Sequence, residues 1–67
     1  MKIKIIDEGT RNEFNFLPDK EYEATCKKLT EGRHKGNSVY FARNEDGRLV
    51  GFNVPAGKTS GVVRQVT

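Results

Sequence analysis

Ser38-Val39-Tyr40-Phe41-Ala42-Arg43-Asn44-Glu45-Asp46-Gly47-Arg48-Leu49-Val50-Gly51-Phe52-Asn53-Val54 is the stretch whose pairing decides the fold. Two runs rich in β-branched and aromatic residues flank a polar Asn-Glu-Asp-Gly segment, which is the pattern of a β-hairpin. With Asp46-Gly47 as a two-residue type I′ turn, Glu45 pairs with Arg48, Arg43 with Val50, Phe41 with Phe52 and Val39 with Val54. That register puts Val39, Phe41, Val50, Phe52 and Val54 on one face, with Tyr40, Ala42, Leu49, Gly51 and Asn53 on the other. A three-residue loop pairs Ala42 with Val50 and Tyr40 with Phe52 instead, and exposes Phe41. A slip of one residue exchanges the faces. The two-residue turn gathers more bulky side chains on one side and is the expected register.

Outward from the hairpin the strand signals continue. Lys2-Ile3-Lys4-Ile5 alternates with a period of two and reads as a half-buried strand. Residues 7–15 lack periodicity and read as a loop. Thr10-Arg11-Asn12-Glu13 has the spacing of a capping box there, and Pro18 leaves room for a single helical turn. Leu17-Pro18-Asp19-Lys20 is a turn, and residues 22–27 form a second alternating strand. Residues 30–37 are polar and glycine-flanked, a flexible loop. Strands follow over 38–43, 48–54 and 61–66. Five short strands in 67 residues predict an all-β meander or barrel forming one domain over 1–67. Ile3, Ile5, Tyr22, Ala24, Val62 and Cys26 complete the expected core.

Composition removes several function classes. One Cys excludes an internal disulfide, and one His beside it excludes a structural zinc site of four N/S ligands. No apolar run approaches the roughly 20 residues of a membrane-spanning helix. The apolar stretch at the N-terminus is interrupted by Lys2 and Lys4 and is too short for a signal peptide. A reduced, soluble, cytoplasmic protein is the expectation.

The order of these elements resembles a Src-homology-3-like small β-barrel. The likeness rests on the long loop after the first strand, the Leu17-Pro18-Asp19-Lys20-Glu21-Tyr22 lead into the second, the Asp46-Gly47 hairpin, a 55–60 turn expected to be 3₁₀, and a brief last strand. The chain also resembles short single-domain proteins encoded by tailed phages and prophages. That resemblance implies an accessory protein that binds a host protein, located in the host cytoplasm. Peptide-binding members of the barrel family line their groove with aromatics including a Trp, a residue this chain lacks.

Catalytic constellations are sparse. Gly57-Lys58-Thr59-Ser60 looks like the end of a phosphate-binding loop, but the required first glycine position is Phe52, and the residues after it read as strand rather than helix. Cys26 and His34 are the sole thiol and imidazole, separated by a basic loop, and Cys26 is in phase with Tyr22 and Ala24, which points to a buried, inert thiol. The carboxylates of the first half alternate with apolar residues as solvated strand faces do. No enzymatic activity, cofactor or metal is expected.

Charge is distributed unevenly. Residues 1–24 carry four basic against six acidic side chains, net −2, while 25–67 carry eight against three, net +5, which together give the overall +3. Lys27, Lys28, Arg33 and Lys35 cluster around the loop between the second and third strands. With Tyr40 as an outward stacking residue they form a candidate nucleic-acid surface whose binding weakens with salt. Basic residues also keep a small barrel soluble and blunt its edges. The alternative class is protein binding through an outward strip of Leu49, Tyr40 and Asn53 beside the gap at Gly51. The first or last strand, as a sheet edge, offers pairing to a partner strand or a second copy. A third class is a virion or accessory component with no ligand.

Overall fold

The computed structural model describes residues 1–55 and 60–66. Five strands, β1 (Lys2–Ile5), β2 (Tyr22–Lys28), β3 (Ser38–Arg43), β4 (Leu49–Val54) and β5 (Val63–Gln65), and one helix, α1 (Glu8–Phe14), follow in the order β1-α1-β2-β3-β4-β5. The strands form one antiparallel sheet in the order β4-β3-β2-β1-β5, curled into a half-barrel. The curl is set by β2. Its first residues, Tyr22 and Glu23, pair with Ile3 and Lys2 of β1, and from Ala24 onward it pairs with β3. One strand thus serves two ladders, and its inward side chains, Tyr22 and Ala24, lie at the bend. β1 is interior, flanked by β2 and β5, so the sheet edges are β4 and the last strand, β5, while the first strand, expected as a possible edge, is covered on both sides.

The hairpin adopts the three-residue loop, not the expected type I′ turn. Ala42 pairs with Val50, Tyr40 with Phe52, Phe41 with Gly51 and Arg43 with Leu49. The Gly47 N–H donates to the Asn44 carbonyl at 3.0 Å, Asn44 N–H donates to the Arg48 carbonyl at 2.9 Å, and Gly47 sits at φ 77°. This is a turn followed by a left-handed glycine bulge. Asn44 is why this loop wins. Its Oδ1 accepts from the Asp46 and Arg48 N–H groups, each at 2.9 Å, and its Nδ2 donates to the Phe14 carbonyl at 2.6 Å. A buried amide with that set of partners outweighs the apolar matching of the other register.

The slip rewrites the core. Ile3, Ile5, Phe16, Tyr22, Ala24, Ala42, Val50, Phe52 and Val63 are buried, while Val39 and Phe41 lie on the outer face. Val62 packs against this cluster from its margin, and Cys26, expected inside, is exposed. Beyond Ala24 the inward side of β2 projects past the core. Phe16 fills the centre, edge-on to Tyr22 at 4.9 Å and tilted against Phe52 at 5.6 Å.

Residues 8–14 form a seven-residue helix where a single turn was expected. Its N-cap is Asp7, not Thr10. Asp7 Oδ2 accepts from the Thr10 N–H at 2.9 Å and the Thr10 hydroxyl at 2.7 Å. Asn15, at φ 59°, ends the helix in the left-handed conformation. The helix end is tied to the hairpin tip. The Asn15 amide donates to Asp46 at 3.0 Å and the Glu45 N–H donates to the Asn15 carbonyl at 3.1 Å. Positions 56–59 of the expected 55–60 turn, and with them the Gly57-Lys58-Thr59 string, lie outside the described residues.

Candidate functional site

The outer face of β2, β3 and β4 is a small grid fixed by the two ladders. Lys27, Val39 and Asn53 form one row, and Thr25, Phe41 and Gly51 form the next, with Arg43 and Leu49 beyond. Gly51 is the reason the grid has relief. A Cβ at that position would lie 3.2 Å from Phe41 Cε1, tighter than an ordinary contact, and 3.6 Å from Val39 Cγ1, an ordinary contact, so the ring packs closely over the glycine. An aromatic ring laid over a strand glycine restores packing that the glycine lacks. Next to it is a shallow depression of about 390 Å³, lined by Glu23, Thr25, Phe41, Arg43 and Leu49 together with Ala24 and Ala42. Leu49 is 54% exposed, the most open large hydrophobic side chain among the described residues.

Charges rim this face and are partly engaged. Glu23 faces the N-terminal ammonium at 3.3 Å and the Lys2 ammonium at 3.4 Å, and its hydrogen bonds to both hold its carboxyl below the usual range. Arg43 Nη1 donates to the Gly47 carbonyl at 2.8 Å, which leans the guanidinium over the hairpin tip.

Of the expected protein-binding residues, Leu49 and Asn53 share the outer face. Tyr40 does not. The slipped register turns it inward, half-buried, opposite Phe52 and Cys26. Burial, with the Cys26 thiol beside it, pushes the Tyr40 phenol above its ordinary value. Phe41 and Val39 hold the outward aromatic and aliphatic places instead.

The basic residues are brought together at one end. Lys27 and Lys28 close β2 opposite Val39 and Ser38, and Arg33 and Lys35 sit in the turns beyond. That segment is held by backbone bonds: Leu29 N–H to the Asn37 carbonyl at 2.8 Å, Gly36 N–H to the Leu29 carbonyl at 2.8 Å, and Asn37 N–H to the His34 carbonyl at 3.0 Å. Gly32 and Gly36, at φ 84° and 92°, supply the left-handed positions. The ion pairs among the described residues use Lys2, Lys20 and the N-terminus, so Lys27, Lys28, Arg33 and Lys35 face solvent with no paired carboxylate.

A third cluster is structural. Tyr22 hydroxyl donates to Glu45 Oε2 at 2.7 Å and accepts from the Leu17 N–H at 2.7 Å, while Lys20 Nζ reaches the same Glu45 oxygen at 2.7 Å and lies 5.3 Å from the Tyr22 ring centre. Hydrogen bonds from Lys20 and then Tyr22 hold the Glu45 carboxyl low, and burial raises the Tyr22 phenol. These groups pin the 17–20 turn to the hairpin.

No group of three or more His, Cys, Asp or Glu that could hold a metal ion occurs among the described residues, and no helix there is long and apolar enough to cross a membrane. Fold and surface together define a small antiparallel half-barrel with an apolar outer face and a basic hairpin tip. No protein-family model, curated protein or solved structure matches the chain.

Proposed function

We propose that the chain is a non-catalytic binding module of the Src-homology-3-like small-barrel kind, a phage or prophage accessory protein that engages a host protein through the outer face of β3 and β4. One observation carries this reading: Leu49 stands exposed beside the Phe41 ring over Gly51, at the lip of the depression. An apolar side chain of a partner entering there meets a ring, a methyl-bearing Thr25 and a leucine, and the rim charges of Arg43 and Glu23 orient its polar flanks. Binding driven by such burial gains about 25 cal/mol per Å² and is nearly indifferent to salt.

The test is capture from host extract by the wild-type chain, Leu49→Asp, and the Lys27→Glu, Arg33→Glu double variant, at about 50 and 200 mM salt, the range over which phosphate contacts are lost. A protein retained by the wild type and the double variant at both salts, and lost by Leu49→Asp, supports the reading. Retention by Leu49→Asp overturns it.

A second reading rests on a separate observation, the four cations at the β2–β3 tip that have no ion-pair partner among the described residues. They suit a phosphate backbone, with Tyr40 reachable only from the inner side. Oligonucleotide binding that falls steeply between the same two salts and vanishes in the double variant is its signature.

A further inference from the structure

β4 is a sheet edge with no strand beyond it among the described residues, and the alternation of its hydrogen bonds fixes how it would be used. The Asn44 N–H bond to the Arg48 carbonyl marks those residues as a hydrogen-bonded pair. In an antiparallel ladder every second pair then bonds, so Val50, Phe52 and Val54 direct their N–H and C=O groups to β3. The β2–β3 ladder agrees: the Leu29 N–H bond to Asn37 assigns Phe41 and Val39 to β2, leaving Ala42, Tyr40 and Ser38 for β4. Leu49, Gly51 and Asn53 therefore point their backbone groups away from the sheet, where β4 has no neighbouring strand among the described residues.

Edges are usually blunted by shortness, charge, proline or a bulge. β5, the other edge, spans three residues with an arginine at its centre. β4 runs six residues, Leu-Val-Gly-Phe-Asn-Val, with no charge and no proline inside it. Arg48 and Pro55 stand just beyond its two ends.

From this edge we infer that the protein self-associates by antiparallel pairing of β4 with β4 of a second copy, the two-fold axis passing through Gly51. That register pairs Gly51 with its equivalent, Leu49 with Asn53 and Asn53 with Leu49. Each is a bonded pair, so all the outward N–H and C=O groups of the three residues are satisfied. The shift centred on Val50 strands Asn53 against Gly47, and the shift centred on Phe52 sets Leu49 against Pro55, which has no N–H to give. On the inner side Val50 meets Phe52 of the second copy, continuing the core face. On the outer side the missing Gly51 side chains let the two Phe41 rings approach across the axis. The contact is isologous and closes at two copies. It does not rest on the host-partner reading, because it is argued from the edge of β4 and not from its face.

The test is backbone amide exchange with sedimentation equilibrium over a range of concentrations, under reducing conditions so that Cys26 forms no crosslink. The expected result is a monomer–dimer equilibrium in which the Leu49, Gly51 and Asn53 amides exchange freely in the monomer and become protected together as the dimer fills. Asn53→Pro removes an N–H that the monomer does not use. It should leave the monomer's exchange pattern intact and weaken the dimer roughly ten- to a hundredfold, because each copy loses a bond and gains a ring at the pairing line. A wild-type chain that stays monomeric at millimolar concentration overturns the inference. So does a dimer whose Leu49, Gly51 and Asn53 amides exchange as freely as in the monomer, which would place the contact elsewhere.

Discussion

Replacing Asn44 with alanine removes the side chain that holds the hairpin to the helix. Three hydrogen bonds go with it: those from the Asp46 and Arg48 N–H groups at 2.9 Å and that to the Phe14 carbonyl at 2.6 Å. At about 1 kcal/mol net each the loss is about 3 kcal/mol, and an uncompensated acceptor at Phe14 adds to it. A domain this small commonly holds only about 3–5 kcal/mol in total. Asn44→Ala is therefore expected to be largely unfolded, or to lose about 2 M or more in urea midpoint at a slope near 1–1.5 kcal/mol/M. Asn44→Asp separates the two roles. It keeps both turn acceptors but sets a carboxylate against the Phe14 carbonyl, so it loses less near neutrality. Urea melts read by far-ultraviolet circular dichroism at pH 7 and pH 4 measure both variants. A loss under about 0.5 kcal/mol for Asn44→Ala would show that water replaces the clamp, and would refute the account of why this register is chosen.

Three further outcomes follow from named contacts. Asp7→Ala deletes the α1 cap and should cost about 1 kcal/mol in the same melts. Glu45 is held low by Lys20 and Tyr22, so its contribution is complete above the ordinary carboxylate value and is lost as pH falls through the folded one; Glu45→Gln should flatten the acid limb of the stability–pH curve. Cys26 is exposed, so Ellman's reagent should label the native chain as fast as the urea-unfolded one.

Strand number, the order of the strands along the chain and the inward set Ile3, Ile5, Tyr22 and Ala24 are legible in the sequence, because period-two alternation reports directly on which face is buried. The hairpin register is not, when judged by apolar matching alone. Side-chain bulk favours Phe41 opposite Phe52, whereas the loop is chosen by Asn44 and Gly47, which occupy the first and fourth positions of a type I turn. That signal stands in Asn44-Glu45-Asp46-Gly47, and weighing turn chemistry above bulk recovers the observed pairing. From the same slip come the inward Tyr40, the outward Phe41 and the buried Ala42. Phe16 is harder to read. It lies in an aperiodic segment, and its burial depends on a helix cap at Asp7 and on Asn44 holding the Phe14 carbonyl.

The three surfaces are coupled through β4. Antiparallel pairing about the two-fold axis at Gly51 joins the two Phe41–Gly51 patches into one apolar strip while sending the basic tips in opposite directions. Lys28 lies level with Val54 across β3, three residues from the axis. At about 3.4 Å per residue the two Lys28 positions are separated by about 20 Å along the strand direction. A dimer therefore presents one continuous face to a protein partner, but two separate cation clusters to a nucleic acid. Under this geometry Asn53→Pro should leave the affinity of a single tip for a short oligonucleotide unchanged and remove only the added avidity for one long enough to reach both. A protein partner seated across the joined strip would instead lose affinity in Asn53→Pro even though Leu49 and Phe41 are intact. The same variant therefore reports on which surface the chain uses, and a partner that binds Asn53→Pro and wild type equally must be satisfied by the face of one copy.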